Sequence, residues 1–106
     1  MRIEDLELAD AMERCKNSSG QALLYFYNPS LSGCLAFARL LAEMKESSLQ
    51  VFRVDVSLEP ELQVKFPAQE LPALYFFSQG LPMGRKPVFQ TVSEFESWLK
   101  FLEGLC

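Results

Sequence analysis

A chain of 106 residues has room for one hydrophobic core and not for two, so residues 1–106 are read as a single domain. An apolar fraction of 49% with 23% charged residues is the balance of a globular protein, and a net charge of −4 excludes a general nucleic-acid binder, which needs a basic face. There is no histidine, which removes Ser–His and Cys–His nucleophile pairs and every His-based zinc site.

The three cysteines, Cys15, Cys34 and Cys106, are odd in number and widely spaced, and no C-x-x-C is present. Neither a zinc knuckle nor a local dithiol pair is therefore written in the chain, and no cofactor or metal is expected. The longest apolar runs, Ala22 to Tyr27 and Leu71 to Phe77, are too short to cross a bilayer, so no membrane insertion is expected. Arg2 is followed by Glu4, Asp5 and Glu7 rather than by an apolar secretory segment. The expected location is cytoplasmic for a full-length chain, and the endoplasmic reticulum or the exterior for an excised domain.

Leu6 to Lys16 spaces its apolar residues for a helix, which Asn17-Ser18-Ser19-Gly20 stops. A small strand at residues 2–4 can precede it. Ala22 to Tyr27 reads as a strand buried on both faces. Ser30 or Ser32 caps a helix through Glu46, with Cys34, Phe37, Ala38, Leu41 and Met44 or Lys45 on one face. Gln50 to Val56 is a second strand, and Glu59-Pro60-Glu61 opens a short helix through Phe66. Pro72 to Ser78 is a third strand and Met83 to Phe89 an edge strand, because Pro87 cannot donate to a ladder. Thr91-Val92-Ser93-Glu94 is a capping box for a last helix with Phe95, Trp98, Leu99 and Leu102 as its apolar stripe, ended by Gly104. The order αβαβαββα implies an α/β fold with a partly parallel sheet covered on both sides.

Three separated motifs carry a family resemblance over residues 20–103. Phe26-Tyr27-Asn28-Pro29 followed by Cys34 resembles the F-Y-A-P-W-C-x-x-C turn of the protein disulfide isomerase branch of the thioredoxin-like superfamily. Val54-Asp55-Val56 resembles that family's next strand end. Leu71-Pro72-Ala73-Leu74-Tyr75-Phe76-Phe77, with Gly80, resembles its cis-proline strand and glycine hairpin. The resemblance implies a thioredoxin fold, with a mixed sheet of four or five strands flanked by about four helices.

Its chemistry does not carry over. Aligned by the motif, Leu31 stands where the family has its attacking cysteine, Ser30 stands at the tryptophan, Ser32 and Gly33 are the middle pair, and Cys34 is the resolving cysteine. At a helix start the dipole and free N–H groups lower a thiol pKa, but a leucine has no sulfur to activate. Tyr25 occupies the strand position that often holds a proton-accepting carboxylate in the family. The expected protein is thus a redox-inactive thioredoxin-like domain, not an enzyme, that binds a protein or an unfolded peptide client as a chaperone or scaffold. Its binding edge is expected at Pro29, Ser30, Leu31, Ser32, Gly33, Leu71 and Pro72, where an extended peptide can pair by strand addition. An outward Leu31 would form an apolar patch with Pro29 and Pro72, or would be one exposed leucine of no consequence.

Cys34 keeps other readings open: a core thiol, a monothiol that exchanges with disulfides, or an intermolecular tether. Monothiol exchange or thiol sensing at Cys34 is the enzymatic alternative to a binding module. Cys15 is expected in the core and Cys106 at an exposed terminus. Glu4, Asp5, Glu7, Asp10 and Glu13 are read as the solvated face of the first helix, or as a surface selecting a basic partner. Asn17-Ser18-Ser19 is a glycosylation tripeptide at a loop, and Arg85-Lys86 is read as protection of an edge strand.

Overall fold

The computed structural model describes residues 2–43, 49–67, 70–86 and 92–103. Strand β2 (Gln21–Tyr27) lies at the centre of the sheet, and Ala22 to Phe26 are all buried. That explains its unbroken apolar run, since a strand with helices on both faces has no solvent side. It pairs in parallel with β3 (Gln50–Asp55) and antiparallel with β4 (Ala73–Ser78). Outside these lie β1 (Arg2–Asp5), parallel to β3, and β5 (Leu81–Lys86), antiparallel to β4. The sheet, in the order β1-β3-β2-β4-β5, is mixed and has five strands among the described residues, in keeping with the four or five that the resemblance implies.

Alternate residues of each strand divide the core between two faces. One face joins Leu23, Tyr25, Val51, Leu74 and Phe76 to Phe37, Leu40 and Leu41 of α2 (Ser32–Glu43), with Trp98 of α4 (Val92–Glu103) packed against them. Phe37 meets Tyr25 edge-on at 5.2 Å, and Trp98 meets Phe76 at 6.0 Å. The opposite face joins Leu24, Phe26, Phe52, Val54 and Phe77 to Ala11 and Cys15 of α1 (Leu8–Lys16) and Leu62 of α3 (Pro60–Lys65). Cys15 is fully buried, and burial pushes its thiol up to about 11.

Several boundaries differ from the sequence reading, each for a local reason. The first helix starts at Leu8 rather than Leu6, because β1 runs to Asp5 and the Leu6 N–H still donates to the Arg53 carbonyl at 2.9 Å. Glu4 and Asp5 are therefore not on a helix face. Glu4 pairs with Arg2 and Arg14, and Asp5 with Arg53. Strand β3 stops at Asp55, whose carboxylate accepts from the Ser57 N–H and turns the chain into a 3-10 turn at Val56–Leu58. Strand β5 begins at Leu81, not Met83. Gln79 and Gly80 both have positive φ, 51° and 82°, so a two-residue turn closes the hairpin and pairing resumes at once. Pro82 is accommodated opposite Phe77, where the register shifts on the outer strand.

The expected helix end at Glu46 with Met44 and Lys45, the strand end from Pro87 to Phe89, Thr91, Gly104 and Cys106 lie outside the described residues, as do the side chains of Arg85, Lys86, Phe95, Leu99 and Leu102. Among the described residues no helix is long and apolar enough to cross a membrane.

Candidate functional site

The turn between β2 and α2 is built by Asn28. Its side-chain Oδ1 accepts from the Ser30 N–H at 3.0 Å and from the Ser30 hydroxyl, and its carbonyl accepts from the Leu31 N–H at 3.1 Å. These bonds hold Pro29 and Ser30 out in solvent, with Ser32 and Gly33 exposed beyond them. Ser30 is thus held by Asn28 and does not cap the helix, while Ser32 is already its first residue. The helix begins without a hydroxyl cap from either serine. Leu31 stands immediately before it, and its carbonyl accepts the first helical bond, from Leu35.

Leu31 does not project freely into water. It is half-buried and packs against the core cluster that contains Cys34, Leu71 and Ala73. The outward leucine with Pro29 and Pro72 therefore needs correction: Pro29 is exposed, Leu31 is partly covered, and Pro72 is buried. Leu71 is 8% exposed. Hydrocarbon at this position gains by leaning onto the core, whereas a thiolate there would keep to the solvent and the helix start. The Leu71–Pro72 peptide bond is cis. With both side chains covered, these two residues have mainly backbone groups to offer a ligand.

One helical turn onward, at 49% exposure, Leu35 supplies apolar surface that the sequence did not single out. Its signal was present in the spacing, since Leu35 sits one residue off the buried stripe of Cys34, Phe37 and Leu41.

Cys34 is 2% exposed. Burial pushes its thiol up, and the Asn28 N–H, which donates to Sγ at 3.4 Å, only partly opposes this. A neutral, covered thiol is a poor nucleophile near pH 7. Behind it Tyr25 is fully buried, and its hydroxyl makes no hydrogen bond among the described residues. Burial raises the phenol above its usual range, and the nearby Arg53 guanidinium opposes the rise without reaching hydrogen-bonding geometry. A phenol so placed cannot accept a proton at neutral pH, as a carboxylate there could.

Arg53 is instead committed to the β1 edge. Its Nε and Nη2 donate to the two carboxylate oxygens of Asp5, both at 2.8 Å, and its guanidinium lies 5.1 Å from the centre of the Tyr27 ring. The Tyr27 hydroxyl also donates to Asp5. Burial, reinforced by the Asp5 charge, pushes that phenol up to about 12. Among the described residues no group of His, Cys, Asp and Glu is placed to hold a metal ion.

No protein-family model and no curated protein sequence matches the chain. Among solved structures it is similar to chloroplastic thioredoxin z, with a TM-score of 0.79 and 18% identity over 98% of this chain and 96% of that one. Oxidised thioredoxin O1 of Arabidopsis thaliana gives 0.73 and 16%, over 94% and 96%. Zinc-bound human ERp44 gives 0.70 and 17%, covering 93% of this chain but 30% of that one. At such identities the likeness establishes an α/β thioredoxin fold and nothing finer.

Proposed function

We propose that this thioredoxin-fold domain is a redox-inactive binding module that takes an extended, unfolded protein segment along the edge between the Pro29–Gly33 turn and the Leu71–Pro72 loop. The observation that carries the reading is the pairing of a half-buried Leu31 at the attacking position with a buried, poorly ionised Cys34 behind it. Disulfide exchange begins with a thiolate that can reach a substrate sulfur, and neither position offers one. What this end of the fold does offer is apolar surface at exposed Pro29 and at Leu31, which packs against the cluster that holds Leu71, with exposed Leu35 one helical turn onward, a combination suited to a strand-like ligand.

The test has a chemical and a binding arm. The parent chain is expected to be inactive in insulin reduction, and Leu31→Cys, which writes a C-S-G-C sequence, to gain activity. A permanently unfolded, alkylated protein should bind the parent, and Leu31→Asp or Leu35→Asp should weaken that binding about tenfold, the loss of one well-packed apolar contact. Turnover of insulin by the parent would overturn the reading. So would binding indifferent to both aspartates.

A further inference from the structure

Away from the turn, α1 and α3 leave an open cleft of about 450 Å³ over β2, β4 and the start of β5. Its floor is Leu24, Phe26, Tyr75 and Phe77, and its walls are formed by Leu8 and Met12 on one side and Leu62 and Phe66 on the other. None of the turn or cis-proline residues lines it. A volume of this size falls within the range of about 300–1,000 Å³ typical of small-molecule sites.

Charge gives the cleft a polarity. In a chain of net charge −4, the described residues of its lining include two charged ones, and both are lysines, Lys16 and Lys65. Each stands in the last turn of its helix, and neither makes an ion pair or side-chain hydrogen bond among the described residues. The opposite ends of the two helices are tied together, for the Leu8 N–H at the start of α1 donates to the Glu59 carboxylate at the start of α3, at 3.2 Å. The Glu59 carboxylate thus sits where both helix dipoles favour an anion, and the two lysines stand at the opposite, negative ends, where no carboxylate among the described residues pairs with them.

We propose that the cleft binds the anion of a medium-chain fatty acid, with its alkyl chain over Leu24, Phe26 and Phe77 and its carboxylate between Lys16 and Lys65. On the apolar floor each methylene buried contributes about fourfold in affinity. The lysines select the sign of the head group. This site is separate from the peptide edge and stands or falls without it.

Titration of the intact chain with octanoate, decanoate, decanol and decyltrimethylammonium, followed by amide NMR shifts and calorimetry, tests the proposal. Decanoate should bind more tightly than octanoate by up to about fifteenfold for its two extra methylenes, and more tightly than decanol. The shifts should concentrate at Leu8, Met12, Phe66 and Tyr75. Lys16→Glu with Lys65→Glu alters exposed side chains and leaves the core intact. It should weaken decanoate about tenfold while leaving decanol unchanged. Equal binding of decanoate and decanol would overturn the proposal, as would shifts centred on Pro29–Gly33. Displacement of decanoate from the cleft by the alkylated unfolded protein would also overturn it, making the cleft a polypeptide site.

Discussion

The two faces of the sheet are covered unequally. On one, α2 and α4 each have 12 described residues, about 18 Å of helix, and Phe37, Phe76 and Trp98 interlock beneath them. On the other, α1 has nine residues and α3 has six, and the shorter helix leaves Phe66 half-buried at the lip of the cleft, stacked on Phe26 at 4.4 Å. The same strands supply both floors, so the difference comes from helix length rather than sheet composition. A closed face stores stability, and an open one has surface left to bind with.

The largest expected effect tests that contrast directly. Phe37→Ala removes a side chain enclosed by the first core and should cost about 3–5 kcal/mol. Phe66→Ala should cost about 1–2 kcal/mol, since its ring is only partly covered and its removal widens an open cleft rather than making an enclosed cavity. Urea denaturation of both variants measures the gap. Equal losses would mean that the second face is packed as tightly as the first.

Next in size is the hairpin that closes the cleft's far end. Gly80 has φ +82°, and a Cβ there would overlap the Lys16 carbonyl at the end of α1. Since the obstacle is backbone, Gly80→Ala should cost about 2–3 kcal/mol by adding a clash to left-handed strain. Gln79, also left-handed at φ 51°, should show the reverse, with Gln79→Asn raising stability by about 0.5 kcal/mol. Opposite signs at adjacent positions would establish that the turn geometry, and not general looseness of the hairpin, sets these effects.

These positions also explain what could be read in the chain beforehand. The central strands were legible because burial on both faces leaves an uninterrupted apolar run, as in Ala22 to Phe26. The hairpin was legible from Gly80, but the start of β5 was not, because Pro82 resembles a loop residue until its place on an outer strand is known. The missing thiol at Leu31 is a matter of sequence alone. The inward lean of that side chain is not, since it depends on a core assembled from distant residues such as Leu71 and Ala73. The cleft was invisible for the same reason. Lys16 and Lys65 are 49 positions apart and meet one cavity only after the sheet has formed. Likewise Asp10 and Glu13 do lie on the exposed face of the first helix, but Asp5, read with them, falls on β1 opposite Arg53 and pairs with it.

That last pair gives the smallest effect, and its sign can be worked out. The Arg53 hydrogen bonds hold the Asp5 carboxyl below its ordinary 3.8, outweighing the opposing effect of burial. The native state therefore binds fewer protons than the unfolded chain in the acid range. Its contribution is complete above the unfolded pKa, near pH 4, and is lost as pH falls through the depressed native value. Because the Asp5 side chain is 60% exposed, solvent screening keeps the contribution below about 1 kcal/mol. Other carboxylates titrate over the same range, so the informative quantity is a double difference. Urea midpoints for the parent and Arg53→Met, each at about pH 6 and about pH 2.5, should converge on acidification by that amount. A gap that stays constant with pH would mean that Arg53 acts through its packing on the Tyr27 ring and not through its charge on Asp5.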